Sequence, residues 1–287
     1  MDLARFNDSL IEARIEVSLQ SGTKYIGREQ EWDVSYKAET GSTNDILLNW
    51  LKSGSLHKES VVMVSDFQAT GHGRLKRRWY CPAGMGLLFS VLQRIDANHE
   101  NPALIGHLAA LSLIYSLEQV VPPDCRVLWK WPNDVYLSGR MTWGKIAGIL
   151  AQAVSQGTSH QVVLGIGVNI LQCDFPSDLR QPATSMIQAA AGNLSKEDLL
   201  ANILANLEYH RPLLTNGKEL IGRLVKYDIC GDDPVVCEFG DELRMGVVRG
   251  YGEDGAIWIN SGKDTRVYHS GEIRIRPENF DNPNREK

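Results

Sequence analysis

The chain has 287 residues, 43% hydrophobic and 23% charged, with a formal net charge of −5. That length buries a sizeable core and suits two domains, while the acidic balance excludes a protein that binds nucleic acid through its whole surface. Five scattered cysteines without a Cys-x-x-Cys pair exclude a disulfide framework and a zinc site, and fit reduced thiols in the cytoplasm.

In chain order, residues 1–30 carry a weak helical pattern (Leu3, Phe6, Leu10, Ile11, Ile15, Leu19) and read as an arm packed on the domain that follows. The arm has no apolar signal-peptide core and is too short for a winged helix-turn-helix, so no DNA-reading domain is expected. Residues 33–38 form a short strand. Ser42-Thr43-Asn44 precede the apolar run Ile46 to Leu51, and so start a helix. A plain N-cap explains them; three small polar side chains in a row would also suit a pocket that holds a polar ring.

A buried strand, Val61 to Val64, leads into Gln68-Ala69-Thr70-Gly71-His72-Gly73-Arg74-Leu75-Lys76-Arg77-Arg78-Trp79. Four Lys and Arg residues and two glycines in an acidic chain point to a specific anion, because glycine lets backbone N–H groups approach and arginine pairs with carboxylate or phosphate. The loop is neither a dinucleotide fingerprint nor a Walker A sequence. The turn Cys81 to Gly86 feeds the strand Leu87 to Leu92. Ala103 to Leu117 is the most apolar segment, too short to span a bilayer, and reads as a core helix over about 103–119.

Arg126 to Lys130 is a strand that runs into Trp131-Pro132-Asn133-Asp134, where Pro132 interrupts pairing and Asn133-Asp134 suits a turn. A hairpin alone accounts for that turn as well as a site does. After Ser138-Gly139-Arg140, Lys145 heads an almost wholly apolar strand to Ala151. Val162 to Ile170 is a buried strand with Gly165, Gly167 and Asn169, and glycine within a strand marks a close approach. Residues 195–208 form a helix with a Ser195/Asp198 capping box, and Pro212 and Asn216-Gly217 end that region. Short alternating strands follow from about 219, at Leu224-Val225, Val235 to Cys237, Met245 to Val248, Ile257 to Ile259 and Ile273 to Ile275, and read as a small barrel.

Ser42-Thr43-Asn44, the loop Gln68 to Trp79, Lys130 to Asp134, Lys145 to Leu150 and Gly165 to Asn169 occur together in the order found in biotin protein ligases. The segment Gly240 to Arg276, with Gly271-Glu272-Ile273, resembles the small C-terminal barrel of that family, in the form that lacks an N-terminal DNA-binding domain. The resemblance implies an α+β fold: a mixed-sheet biotin/lipoate ligase-like catalytic domain at 35–216 and a small SH3-like β-barrel at 217–276, flanked by an arm at 1–34 and a tail at 277–287. It implies a cytoplasmic enzyme that forms biotinyl-5′-AMP from biotin and ATP with Mg²⁺, then biotinylates a lysine on the biotin carboxyl carrier domain of a carboxylase. A homodimer is left open, and neither DNA nor a membrane is an expected partner.

By the same resemblance, Lys145 and Arg74 are the catalytic residues. Biotin falls to Ser42, Thr43, Asn44, Gln68, Gly71, His72, Gly73, Arg74, Lys145 and Gly148. ATP and the adenylate fall to Arg74, Arg77, Trp79, Lys130, Asn133, Asp134, Lys145, Asn169 and Arg276, with no protein-held metal. Loop 71–79 is expected to order over the ligand. His72 and Lys76 depart from the family's usual Arg and Gly, and Met141-Thr142-Trp143-Gly144 lengthens the hairpin before Lys145. Three other readings compete: a lipoate or octanoate ligase of the same fold, a non-catalytic biotinyl-adenylate sensor, and a nucleic-acid binder that uses the basic loop.

Overall fold

The computed structural model describes residues 1–2, 4–7, 9, 32–55, 60–96, 98–139, 142–156, 159–189, 195–239, 242–262 and 264–274. Its larger sheet contains β1 (Asp33–Thr40), β2 (Val61–Gln68), β3 (Gly86–Asp96), β4 (Arg126–Lys130), β5 (Asp134–Gly139), β6 (Thr142–Gln156) and β7 (Ser159–Asn169), in the spatial order β1-β2-β3-β7-β6-β5-β4. β1 and β2 are parallel, joined through α1 (Thr43–Ser53), and every other neighbouring pair is antiparallel.

Strand alternation decides what each face of this sheet buries. Val62 and Val64 join the large core beneath α2 (Ile105–Glu118) and α3 (Lys196–His210), while Val61 and Met63 pack with Leu47 and Leu51 of α1 on the other face. α2 buries Leu108, Leu111, Leu113, Ile114 and Leu117, as its mostly apolar composition requires. α3 starts at the expected capping box between Ser195 and Asp198. All five cysteines are free. Among the described residues, no helix is long and apolar enough to cross a membrane.

The arm is described only at its start. There Phe6 is buried in the core, and Arg5 and Ser9 both bond Asp198. The helical pattern beyond residue 9, the absence of a DNA-reading unit and the tail 277–287 concern residues outside those described.

One expected element is overturned. Leu224-Val225 is not a strand, because residues 217–224 form α4 (Gly217–Leu224). Asn216, read as a terminator, is the N-cap and accepts from the Glu219 N–H, and Leu220, Ile221 and Leu224 bury one face. Apolar residues at i, i+1 and i+4 carry a helical period that the Asn-Gly punctuation hides. The smaller sheet begins later, with β8 (Pro234–Phe239), β9 (Glu242–Tyr251), β10 (Ile257–Ser261), β11 (Asp264–Tyr268) and β12 (Glu272–Arg274), in the order β11-β10-β9-β8-β12. β11 is an exposed polar edge strand, which is why no alternation announces it.

The two sheets meet at a tight seam. The Trp131 indole N–H donates to the Gly255 carbonyl at 2.9 Å, and Gly255 passes so close to His107 that an added Cβ would lie 2.5 Å from the imidazole. Burial pushes the His107 imidazole from 6.5 down to about 4. Burial and then Arg223 do the same to His210, which sits between Tyr115 and Tyr209.

These two histidines set an acid limit on stability. A folded pKa below the unfolded one means that the unfolded chain binds more protons between those values, so stability falls as pH drops from 6.5 towards 4. At pH 5 each histidine removes about 2 kcal/mol relative to neutral pH. Denaturant unfolding at pH 7 and pH 5 should show the loss, and His210→Phe should remove about half of it.

Candidate active site

A cavity of about 1100 Å³ opens where the large sheet, loop 72–80, the Trp131-Pro132-Asn133 turn, segment 175–183 and barrel residues 267–272 converge. Its wall brings together nearly all of the expected site residues. Gly71 is the exception: it does not line the cavity but turns the loop over Gln68, whose Cβ would lie 3.0 Å from an added Cβ. Arg276 lies outside the described residues.

One end of the cavity is polar and neutral. Ser42 caps α1, accepting from the Asp45 N–H at 3.3 Å, so the plain capping role is real and also delivers its neighbours to the cavity. The Thr43 N–H and hydroxyl lie 2.7 and 3.0 Å from Gln68 Oε1. Asn44 lies flat against β7, where a Cβ on Gly165 would come within 2.3 Å of Asn44 Oδ1. Glycine is therefore required there by close approach.

The other end is charged. Lys130 and Asp134 pair at 3.3 Å across the expected turn, and Lys145 meets the same carboxylate at 2.5 Å. Burial works to raise the Asp134 pKa, but the two lysines outweigh it and hold the carboxyl below its ordinary value. Lys130 is 1% exposed, and burial pulls its ammonium down against the attraction of Asp134. Lys130 also donates to Gln181 Oε1 at 2.6 Å, an oxygen that Tyr136 shares.

Trp79 covers Lys145. The Lys145 Nζ lies 5.4 Å from its ring centroid, within cation–π range. The indole rests on Gly148 and Gly167, where an added Cβ would come within 3.0 and 2.7 Å of it. Trp79 Nε1 and Asn169 Oδ1 are buried without a hydrogen-bond partner, which leaves one donor and one acceptor in the cavity wall for a ligand. The Asn169 amide nitrogen is committed to the Lys145 and Thr184 carbonyls, so Asn169 also braces the backbone of Lys145.

The basic loop folds onto itself and onto the barrel. Trp79 N–H bonds the Gly71 carbonyl, and Gly73 N–H bonds that of Arg77. Arg74 donates to Asn133 Oδ1 at 3.3 Å and to the Gly271 carbonyl at 3.1 Å, and Arg77 pairs with Glu272. His72 Nε2 lies 3.6 Å from Asp45. Lys76 adopts a left-handed φ of 56°, as does Leu75 at 54°. Glycine enters this region freely, whereas other residues do so at roughly 1–2 kcal/mol. Six Lys and Arg side chains line the cavity against four carboxylates, an excess that favours an anion.

The hairpin before Lys145 is settled: Gly139 faces Thr142, Tyr136 faces Lys145, and a bulge takes up the odd residue. Gly144 passes so close to Ala183 that a Cβ would lie 2.6 Å from its carbonyl carbon. Sequence reasoning missed Ser90, Gln152, Gln181 and the pairing role of Glu272. Ser90 did leave a trace, as the one hydroxyl in the apolar run Leu87 to Leu92; Gln181 sits in a segment with no periodicity.

A family model described as the biotin/lipoate A/B protein ligase family matches residues 36–169. The bifunctional ligase/repressor BirA of Escherichia coli K12 is 27% identical over 266 residues, which cover 91% of this chain and 79% of that protein. The biotin--[acetyl-CoA-carboxylase] ligase of Mycobacterium tuberculosis is 28% identical over 262 residues, covering 86% of this chain and 91% of that one. The biotin protein ligase of Aquifex aeolicus, solved with biotin and ATP, shares the fold at a TM-score of 0.68 and 24% identity, over 85% of this chain and 98% of that one. With the motifs of those ligases gathered around one cavity, the chain belongs to the biotin protein ligases of the biotin/lipoate A/B protein ligase family.

Proposed function

We infer that this protein is an ATP-dependent biotin ligase. It joins biotin to AMP with release of pyrophosphate, then passes biotin to a lysine on the carrier domain of a biotin-dependent carboxylase. The observation that carries this reading is one cavity with a neutral hydrogen-bonding end at Thr43, Asn44 and Gln68 and a cationic end at Lys145, Lys130 and Arg74. Biotin has a matching polarity, a cyclic urea at one end and a carboxylate at the other. A lipoate ligase has no use for the polar end, since it takes up an aliphatic chain.

In the first step the biotin carboxylate attacks the α-phosphorus of ATP and pyrophosphate leaves. Two anions must be held together, so positioning and preset charge supply the catalysis. Ser42, Thr43, Asn44 and Gln68 hold the ring. Lys145 neutralises the charge that builds between carboxylate and α-phosphate, a role supported by the Asp134 and Trp79 contacts that fix its ammonium in the cavity wall. Arg74 and Arg77 take phosphate oxygens, with Trp79, Lys130, Asn133 and Asn169 around the nucleotide.

Mg²⁺ would come with ATP as part of the substrate and would supply charge neutralisation for the leaving pyrophosphate. Among the described residues, no group of three or more His, Cys, Asp or Glu side chains could hold a metal ion. In the second step the carrier lysine's neutral amine attacks the acyl carbon and AMP leaves. The mixed anhydride must be kept from water until then, and loop 71–79 is the segment that can cover it.

Biotin-dependent exchange of labelled pyrophosphate into ATP, with lipoate as control, tests the reading. Exchange with lipoate and none with biotin would overturn it. Lys145→Ala should lower the exchange by about 10²-fold or more with the melting temperature nearly unchanged, as expected for loss of a charge aimed at the transition state. Wild-type exchange in that variant would remove Lys145 from the mechanism. Arg74→Ala should speed the escape of preformed biotinyl-AMP by about tenfold, the effect of losing one charge-assisted bond. An unchanged dissociation rate in a rapid-filtration assay would rule out Arg74 as a retaining contact.

A further inference from the structure

Behind Thr43 and Asn44 lies a second layer of polar side chains, formed by Ser90 on β3 and Gln152 on β6. Ser90 is fully buried, with its hydroxyl 2.7 Å from Thr43 Oγ1 and 2.6 Å from Asn44 Oδ1. The Asn44 amide nitrogen donates to Gln152 Oε1 at 2.8 Å. The chain of contacts thus runs from Gln68 through Thr43, Ser90 and Asn44 to Gln152.

Each hydroxyl has a single proton, so the chain has a direction. With Gln152 accepting from Asn44, Asn44 Oδ1 takes the Ser90 proton, and Ser90 in turn takes the Thr43 proton. Thr43 then gives Gln68 Oε1 only its backbone N–H. In this direction Thr43 Oγ1 accepts nothing from the protein, and Gln68 Oε1 keeps one lone pair. Both residues line the cavity. In the reverse direction Thr43 Oγ1 accepts from Ser90, and Gln68 Oε1 accepts both the hydroxyl and the N–H of Thr43, so only one acceptor site is left. A primary amide at position 152 satisfies either direction by turning over.

We propose that Ser90 and Gln152 are positioning residues for ring recognition: together they turn the Thr43 hydroxyl away from the cavity, so that Thr43 and Gln68 present acceptor oxygens to the N–H groups of a cyclic urea. This rests on the biotin reading above. It predicts that the hydrogen-bonding sense of residue 152, rather than its charge or size, sets biotin affinity. Glutamate there only accepts and imposes the favourable direction; lysine only donates and imposes the reverse; methionine fills the space and does neither.

Biotin affinity is measured by calorimetry on the full chain, with melting temperature as the check on folding. Gln152→Glu should bind within about twofold of wild type, Gln152→Met about tenfold more weakly and Gln152→Lys more weakly still, with about tenfold for each hydrogen bond lost or opposed. Ser90→Ala, which interrupts the chain at its centre with little change of volume, should also lose about tenfold. Equal losses in Gln152→Glu and Gln152→Lys, or wild-type affinity in Ser90→Ala, overturn the assignment while leaving the biotin reading intact. A wild-type chain that bound no biotin would overturn both.

Discussion

Much of this structure depends on one half-buried carboxylate. Lys130 is almost wholly inside the protein and Lys145 stands in the cavity wall, and two ammonium groups so near each other are tolerable only with an anion between them. Asp134 is that anion. It heads β5, so the strand pairing Lys130↔Asp134 places the first pair, and the pairing of β5 with β6 brings Lys145 to the other oxygen. The fold thus builds the charged end of the site from three consecutive antiparallel strands, and the rigidity of that sheet is what holds the lysine in place. Asn133 adds a tie to β6 through the Ile149 carbonyl, and receives Arg74 from the loop.

A second constraint is the absence of side chains along one stretch of wall. Gly148, Gly165 and Gly167 sit side by side on β6 and β7, with Gly148 paired directly to Gly167. That bare strip accepts the flat face of Trp79 and the amide of Asn44 at distances no Cβ would permit. It joins the neutral and charged ends of the cavity into one continuous groove, so recognition of a ring and chemistry at a carboxylate can take place on a single small molecule.

What could be read from the sequence was local. The cap at Ser42, the turn between Lys130 and Asp134, the capping box at Ser195 and the glycines of β7 depend on neighbours a few residues away, and each appears where expected. The resemblance carried the rest of the site, because its motifs are contiguous. Contacts set by strand register stayed hidden: Ser90 meets Asn44 across 46 positions, and Gln152 meets it across 108. Gln181 joins Lys130 and Tyr136 to Glu272 from a segment with no regular structure, so no period could announce it. α4 was missed for the opposite reason, since a short amphipathic turn is outvoted by the Asn-Gly that caps it.

The seam between the sheets bears on how far the chain can be divided. The change in texture near residue 219 suggests a detachable module, but α4 occupies that stretch and packs Leu220, Ile221 and Leu224 into the main core. Val235, Cys237, Ile257, Ile259 and Ile273 of the smaller sheet belong to the same packed cluster as Leu111 and Ile114 of α2. The apolar packing of the smaller sheet is therefore continuous with that of the larger core. Removing the smaller sheet would leave the Trp131 indole N–H without its acceptor, one residue away from the proline that leads into Asn133 and Asp134. The module that varies in sequence style is thus tied by a hydrogen bond to the turn that sets Asn133 and Asp134 in the cavity wall.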